Sequence, residues 1–263
     1  MLGAILGDIA GSRFEWNNIK NKEFELLHPD CRMTDDSLMT LAVAKALLES
    51  RKNGSDLGHE AVVWMQKLGR RFPFAGFGGN FSRWLMESDP KPYGSYGNGS
   101  AMRVSPAGFA ASSLEEAKAL SRAVTEVTHN HPEGIRGAEA TACIIYLART
   151  GASREEIRSF VRENYYPLDF TLEEIRPDYT FDVSCQGSVP QAIEAFLEST
   201  DFEDAIRNAV SIGGDSDTIA AIAGGMAEAF YGLPDALREK SLRYVRDGEL
   251  LGILRDFEAA FPG

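Results

Sequence analysis

The 263-residue chain carries 27 basic and 39 acidic residues, a net charge of −12, and acids spread along its length argue against a nucleic-acid-binding surface. Apolar residues make up 44% with no low-complexity tract or Pro/Gly-rich linker, so residues 1–263 read as a single domain, and a monomer is expected. Three widely spaced cysteines, an apolar start interrupted by Asp8 and no run near the ~20 apolar residues of a membrane span lead to the expectation of a soluble, cytoplasmic protein without disulfides, signal peptide or membrane contact.

Residues 1–11 predict a short helix with Leu2, Ile5, Leu6 and Ile9 on one face. It leads through a Gly/Ser break to Glu15, which taken alone is an ordinary solvated side chain. Residues 17–33 read as a polar connection held over the core by Phe24, Leu26 and Leu27. Thr34-Asp35-Asp36-Ser37 then introduces a helix over 38–50, a hydroxyl and two acids at a helix start. Another helical pattern covers 58–70, around Ala61, Val62, Met65 and Leu68. In the Gly-aromatic loop 72–80, Gly78 and Gly79 can bring backbone amides close to a phosphate, a weak signal by itself.

Residues 94–103, Gly-Ser-Tyr-Gly-Asn-Gly-Ser-Ala-Met-Arg, run glycines and serines into a helix start at Ala101. That arrangement can offer N–H groups and a dipole end to an anion, with Tyr96 to stack on a base and Arg103 as a cation; a tight capping loop reads equally well. Ser113 to Glu116 forms a capping box, and a stripe of Ala117, Leu120, Val124 and Val127 ends at Thr128-His129-Asn130-His131. Pro132 starts a helix reaching about residue 149. His129 is assigned a contact to a ligand hydroxyl and His131 is left open. A second capping box stands at Ser153 to Glu156, 164–188 reads as an irregular arm, and helical patterns return at 189–198 and at Phe202, Ala205, Ile206 and Ala209.

The stretch that organises the chain is Gly213-Gly214-Asp215-Ser216-Asp217-Thr218, followed by a helix of small and apolar residues with Asp217 or Thr218 as its cap. Gly224 and Gly225 cost that helix roughly 1 kcal/mol each against Ala, which close approach of a neighbouring helix would offset. Two further helical patterns, 235–246 and 249–261, close the chain. Strand patterns are nearly absent, so the fold class is all-α, with roughly ten to thirteen helices.

Taken alone, Asp215 is a turn residue and Asp217 an N-cap. Two such clusters, at residues 34–37 and 215–218, can instead converge, and four carboxylates in one place require a counter-charge. Oxygen donors without His-x-x-x-His or Cys-x-x-Cys spacings suit Mg²⁺, Mn²⁺ or Ca²⁺, not zinc.

In their order, Gly7-Asp8 to Glu15, Thr34-Asp35-Asp36, the Gly94–Arg103 motif, Thr128-His129 and Gly213 to Thr218 resemble the ADP-ribosylglycohydrolases over essentially the whole chain. The resemblance implies an orthogonally packed all-α fold with two Mg²⁺ or Mn²⁺ ions. Their ligands would be Thr34, Asp35, Asp36, Asp215, Asp217, Thr218 and Glu15. It also implies an ADP-ribose site at Gly78, Ser95, Tyr96, Gly97, Asn98 and His129. Glu15, Asp35 and Asp36 are the candidate bases. The substrate would be an ADP-ribosylated protein or a small ADP-ribose conjugate. Two alternatives remain at this point, a non-catalytic ADP-ribose-binding or structural homologue and a metal-dependent phosphoesterase acting on the diphosphate.

Overall fold

The computed structural model describes residues 1–262. Among these the chain is all-α, with fifteen helices and one isolated strand-type pairing, Gly97 with Ser184. In order they are α1 (Leu2–Gly11), α2 (Asp35–Asn53), α3 (Leu57–Arg71), α4 (Gly79–Met86), α5 (Gly99–Met102), α6 (Ser105–Ala110), α7 (Leu114–Thr125) and α8 (Pro132–Arg149). They continue with α9 (Arg154–Asn164), α10 (Leu172–Ile175), α11 (Cys185–Leu197), α12 (Phe202–Ser211), α13 (Ser216–Tyr231), α14 (Asp235–Leu242) and α15 (Gly248–Ala260). No described helix is long and apolar enough to cross a membrane.

The axis of the molecule is α13, buried from Ser216 through Ala227 and packed on α1, α8, α11 and α12. Its closest neighbour is α1, and small residues make that contact possible. A Cβ on Gly7 would lie 2.0 Å from the Ala220 carbonyl oxygen, and one on Gly224 would lie 2.2 Å from that of Gly3. The two backbones therefore touch, and the packing offsets the helix-propensity cost of the glycines. One apolar core runs from Met1 to Phe257 around this pair. Its long reach in sequence brings the two acidic helix starts to the same end of the bundle.

Several boundaries differ from the sequence reading, each for a local reason. The arm at 164–188 ends earlier than expected, because α11 begins at Cys185 under a Ser184 cap and carries Pro190 inside it. Gly79 and Asn80, read as the end of the 72–80 loop, instead begin α4, which runs to Met86 and whose Phe81, Trp84 and Leu85 are buried on one face. The helix at Ala101 is a single turn, Gly99–Met102, separate from α6. The box at Ser113 is only half formed: Ser113 accepts from the Glu116 amide, but the Glu116 carboxylate accepts from Ser112. That at Ser153 is complete. All three cysteines are buried free thiols.

Candidate metal centre and ligand cleft

Asp8 is the residue around which the acidic site is assembled. It is fully buried on α1, and its two oxygens accept from the Thr34 amide at 3.0 Å, the Thr34 hydroxyl at 2.7 Å, the Ser37 amide at 3.1 Å and the Ser37 hydroxyl. These bonds pin the first turn of α2 to α1. Thr34, the N-cap of α2, also accepts from the Asp36 amide at 3.3 Å. Because its proton goes to Asp8, the Thr34 hydroxyl keeps a lone pair beside Asp36. Sequence reasoning missed Asp8 as a site residue; the signal was an acid inside an otherwise apolar helix.

On the other side, the N-cap of α13 is Asp215, not Asp217 or Thr218, so the helix begins at Ser216; Asp215 makes no side-chain cap bond. The Asp215 carboxylate instead accepts from Asn98 Nδ2 at 2.7 Å. Gly213 and Gly214, both at φ +72°, turn the chain into this helix. Asn18 clamps that turn to the Glu15 segment: its Nδ2 donates to the carbonyls of Gly214 and Phe14, and its Oδ1 accepts from the Gly214 amide. Asn18 is a second positioning residue that no motif announced.

The result is two adjoining acidic triads that share Asp217. One oxygen each of Asp8, Asp36 and Asp217 lie within 4.8 Å of one another, as do those of Glu15, Asp215 and Asp217. Burial and mutual repulsion push the Asp36 and Asp217 carboxyls well above the ordinary range, and Asp35 up to about 7. Half-buried Glu15 is raised too, by burial and then by Asp215. Asp36 Oδ1 is buried with no hydrogen-bond partner. An orphaned carboxylate oxygen among like charges, with only oxygen donors around it, fits a hard divalent cation.

The acids form one end of a cleft of about 420 Å³. Glu15, Asp35, Asp36, Asp215, Asp217, Thr218, Gly78, Ser95, Gly97, Asn98 and His129 all line it. Thr34 lies behind it, and Tyr96, 52% exposed, packs against His131 at 5.2 Å. His131 is the N-cap of α8, its Nδ1 accepting from the Glu133 amide. The two histidines therefore do not form a metal pair.

In the loop at 94–103, Gly97 donates to Ser95 Oγ, Asn98 to the Val183 carbonyl and Ala101 to that of Asn98, and the helical turn there starts at Gly99. The N-terminus of α4 also borders the cleft, uncapped by any side chain, with Gly78, Gly79 and Asn80 in its wall and open space around both glycines. Arg103 lies at the cleft floor, 1% exposed and without a carboxylate partner. Trp16, stacked on Phe181 at 5.2 Å, and Val183 make an exposed apolar mouth that sequence reasoning did not single out.

The family profile described as ADP-ribosylglycohydrolase matches residues 1–261. The chain is similar to the ADP-ribosylhydrolase ARH3 of Homo sapiens, 26% identical over 89% of this chain and 84% of that protein. It is also similar to the ADP-ribosylarginine hydrolase Tri1 of Pseudomonas putida, 27% identical over 89% of this chain and 70% of Tri1. The ADP-ribosyl-dinitrogen reductase glycohydrolase of Rhodospirillum rubrum is 26% identical over 78% of this chain and 70% of its own. A solved structure described as an ADP-ribosylglycohydrolase-related protein complex superposes with a TM-score of 0.71, at 24% identity, over 98% of this chain and 95% of that one.

Proposed function

The chain belongs to the ADP-ribosylglycohydrolase family, and from that membership we propose that it cleaves the glycosidic bond between ADP-ribose and an acceptor, releasing ADP-ribose. The acceptor is a modified protein side chain, such as arginine or serine, or a small conjugate. The observation that carries the reading is the buried, partnerless Asp36 Oδ1 in one of two carboxylate triads that share Asp217. The donor set fits two Mg²⁺ or Mn²⁺ ions held by Thr34, Asp35, Asp36, Asp215, Asp217, Thr218 and Glu15. Bound there, such ions supply positive charge that offsets the acids and polarises ligand oxygens.

The chain's own groups divide the remaining work. Glu15, the half-buried member of the second triad, whose carboxyl pKa is raised by burial and then by Asp215, is suited to hold a proton and exchange it at the scissile bond, where an oxocarbenium-like state forms. Asp35 and Asp36 are the other candidate bases. The α4 N-terminus at Gly78 and Gly79 takes the diphosphate, helped by helix amides that no side chain caps. Ser95, Tyr96, Gly97 and Asn98 form the adenosine side, and Asn98 also steadies Asp215. Trp16, Phe181 and Val183, at the mouth beside Glu15, face the acceptor. The protein acts alone, as a single domain and a monomer.

Calorimetry of free ADP-ribose with Mn²⁺ or Mg²⁺, and again with chelator, tests the site. Binding that requires metal is the expected result, with turnover of arginine- or serine-linked substrate yielding ADP-ribose. AMP as product would make the protein a phosphoesterase, and no binding with any metal would overturn the hydrolase reading.

A further inference from the structure

Arg103 and His129, which line the cleft, are linked through Thr128 in a way that fixes where the histidine proton sits. Arg103 is fully buried; its Nη2 donates to Thr128 Oγ1 at 2.6 Å. The Thr128 hydroxyl is in turn 2.7 Å from His129 Nδ1. A guanidinium can only donate, and a hydroxyl has one proton. Having accepted from Arg103, the Thr128 hydroxyl can give that proton either to His129 Nδ1 at 2.7 Å or to the Thr125 carbonyl at 3.5 Å. At 3.5 Å the Thr125 carbonyl is at the limit of hydrogen bonding, so the hydroxyl proton goes to Nδ1, which is then the acceptor. Burial, and then the charge of Arg103, hold His129 well below the ordinary histidine range, so the ring is neutral and carries its one proton on Nε2.

Nε2 faces the glycine loop. A Cβ on Gly99 would lie 3.3 Å from it and one on Gly97 3.6 Å, and both glycines line the cleft with His129. We infer that Arg103 and Thr128 are positioning residues forming a one-way hydrogen-bond relay that presents His129 Nε2–H as a permanent donor to an oxygen of the bound ligand. Its direction rests on Arg103 being able only to donate and on the length of the competing Thr125 contact. That the oxygen belongs to a ribose hydroxyl rests on the proposed function.

Two-bond ¹H–¹⁵N correlation spectra of histidine-labelled protein read the tautomer directly, with His129→Gln identifying its signal among the four histidines. The relay requires the Nε2–H form in the unmodified protein. Thr128→Val, which keeps the shape and loses the hydroxyl, should shift the ring toward Nδ1–H and weaken ADP-ribose binding about tenfold, the worth of one hydrogen bond to a buried donor. Thr128→Ser should restore both. An Nδ1–H ring in the unmodified protein, or an Nε2–H ring unchanged in Thr128→Val, overturns the relay. Should Thr128→Val not fold, the tautomer of the unmodified protein still decides. Because that readout needs no ligand, failure to bind ADP-ribose would count against the function and not against the relay.

Discussion

Asp217 belongs to both acidic triads, and burial, followed by repulsion from Asp36, Asp215, Asp8 and Glu15, raises its pKa. Asp217→Asn keeps the shape while removing one charge from this set. Metal affinity should fall by at least about a hundredfold, beyond what changes outside the ligand shell usually cost, and turnover should fall with it. The metal-free fold should meanwhile melt no lower than the unmodified protein, because a buried like-charge contact is gone. Full activity in a metal-titrated assay of this variant would remove Asp217 from the mechanism. Asp8 differs from the other acids in having four donors on its carboxylate. It braces the Thr34 turn and has fewer lone pairs left for a cation.

At the scale of elements, the contact between α1 and α13 is what sets the spacing of the acids. Gly7 precedes Asp8, and Gly11 packs against the Asp217 backbone, where a Cβ would come within 2.5 Å of Asp217 Cα. Gly7→Ala must separate the helices, because the obstructing atom is a backbone carbonyl that cannot rotate away. A loss of about 1–3 kcal/mol in urea unfolding is expected, together with weaker Mn²⁺ binding as Asp8 and Asp217 move apart. Gly252 in α15 is the control. No atom lies within 4 Å of a Cβ placed there, and Gly252→Ala should gain up to about 1 kcal/mol from helix propensity without touching metal binding. If Gly7→Ala behaved like Gly252→Ala, the close contact would not be what positions the acids.

For the whole molecule, the buried acids make stability depend on pH and on cations together. Their folded-state pKa values are raised, Asp35 to about 7, above an unfolded value near 4. The metal-free folded state therefore holds protons that the unfolded chain releases. This contribution to stability is complete below about pH 4 and is lost as the pH rises through about 7. Chelated protein should melt lower at about pH 8 than at about pH 5.5, and Mn²⁺ should close the gap by replacing those protons. Equal melting of the chelated protein at both values would show that the acids do not repel in the fold. The net charge of −12 acts in the same direction, so an anionic ligand must find its positive field locally.

The helices were readable from the sequence because apolar spacing and caps are local: α1, α2, α3, α7, α8, α9 and α12 fall where periodicity, capping residues and Pro132 put them. So was the need for a partner helix, since Gly224 and Gly225 are costly unless backbones meet. The failures came where local signals compete. The helix read from 189 starts four residues earlier, at Cys185, where Gly187 and Pro190 obscure its first turns, and α4 is too short for its period to stand out from the glycines before it. The acids Asp35 and Asp36, and Asp215 and Asp217, were visible as two separate helix starts. Only packing decided that the two triads share Asp217, that Asp8 pins the Thr34 turn and that Arg103 and Thr128 meet His129 at the cleft. The reason is physical: caps and periodicity are settled within a turn or two of chain, whereas repulsion, burial and proton direction depend on which distant groups are brought within a few ångströms.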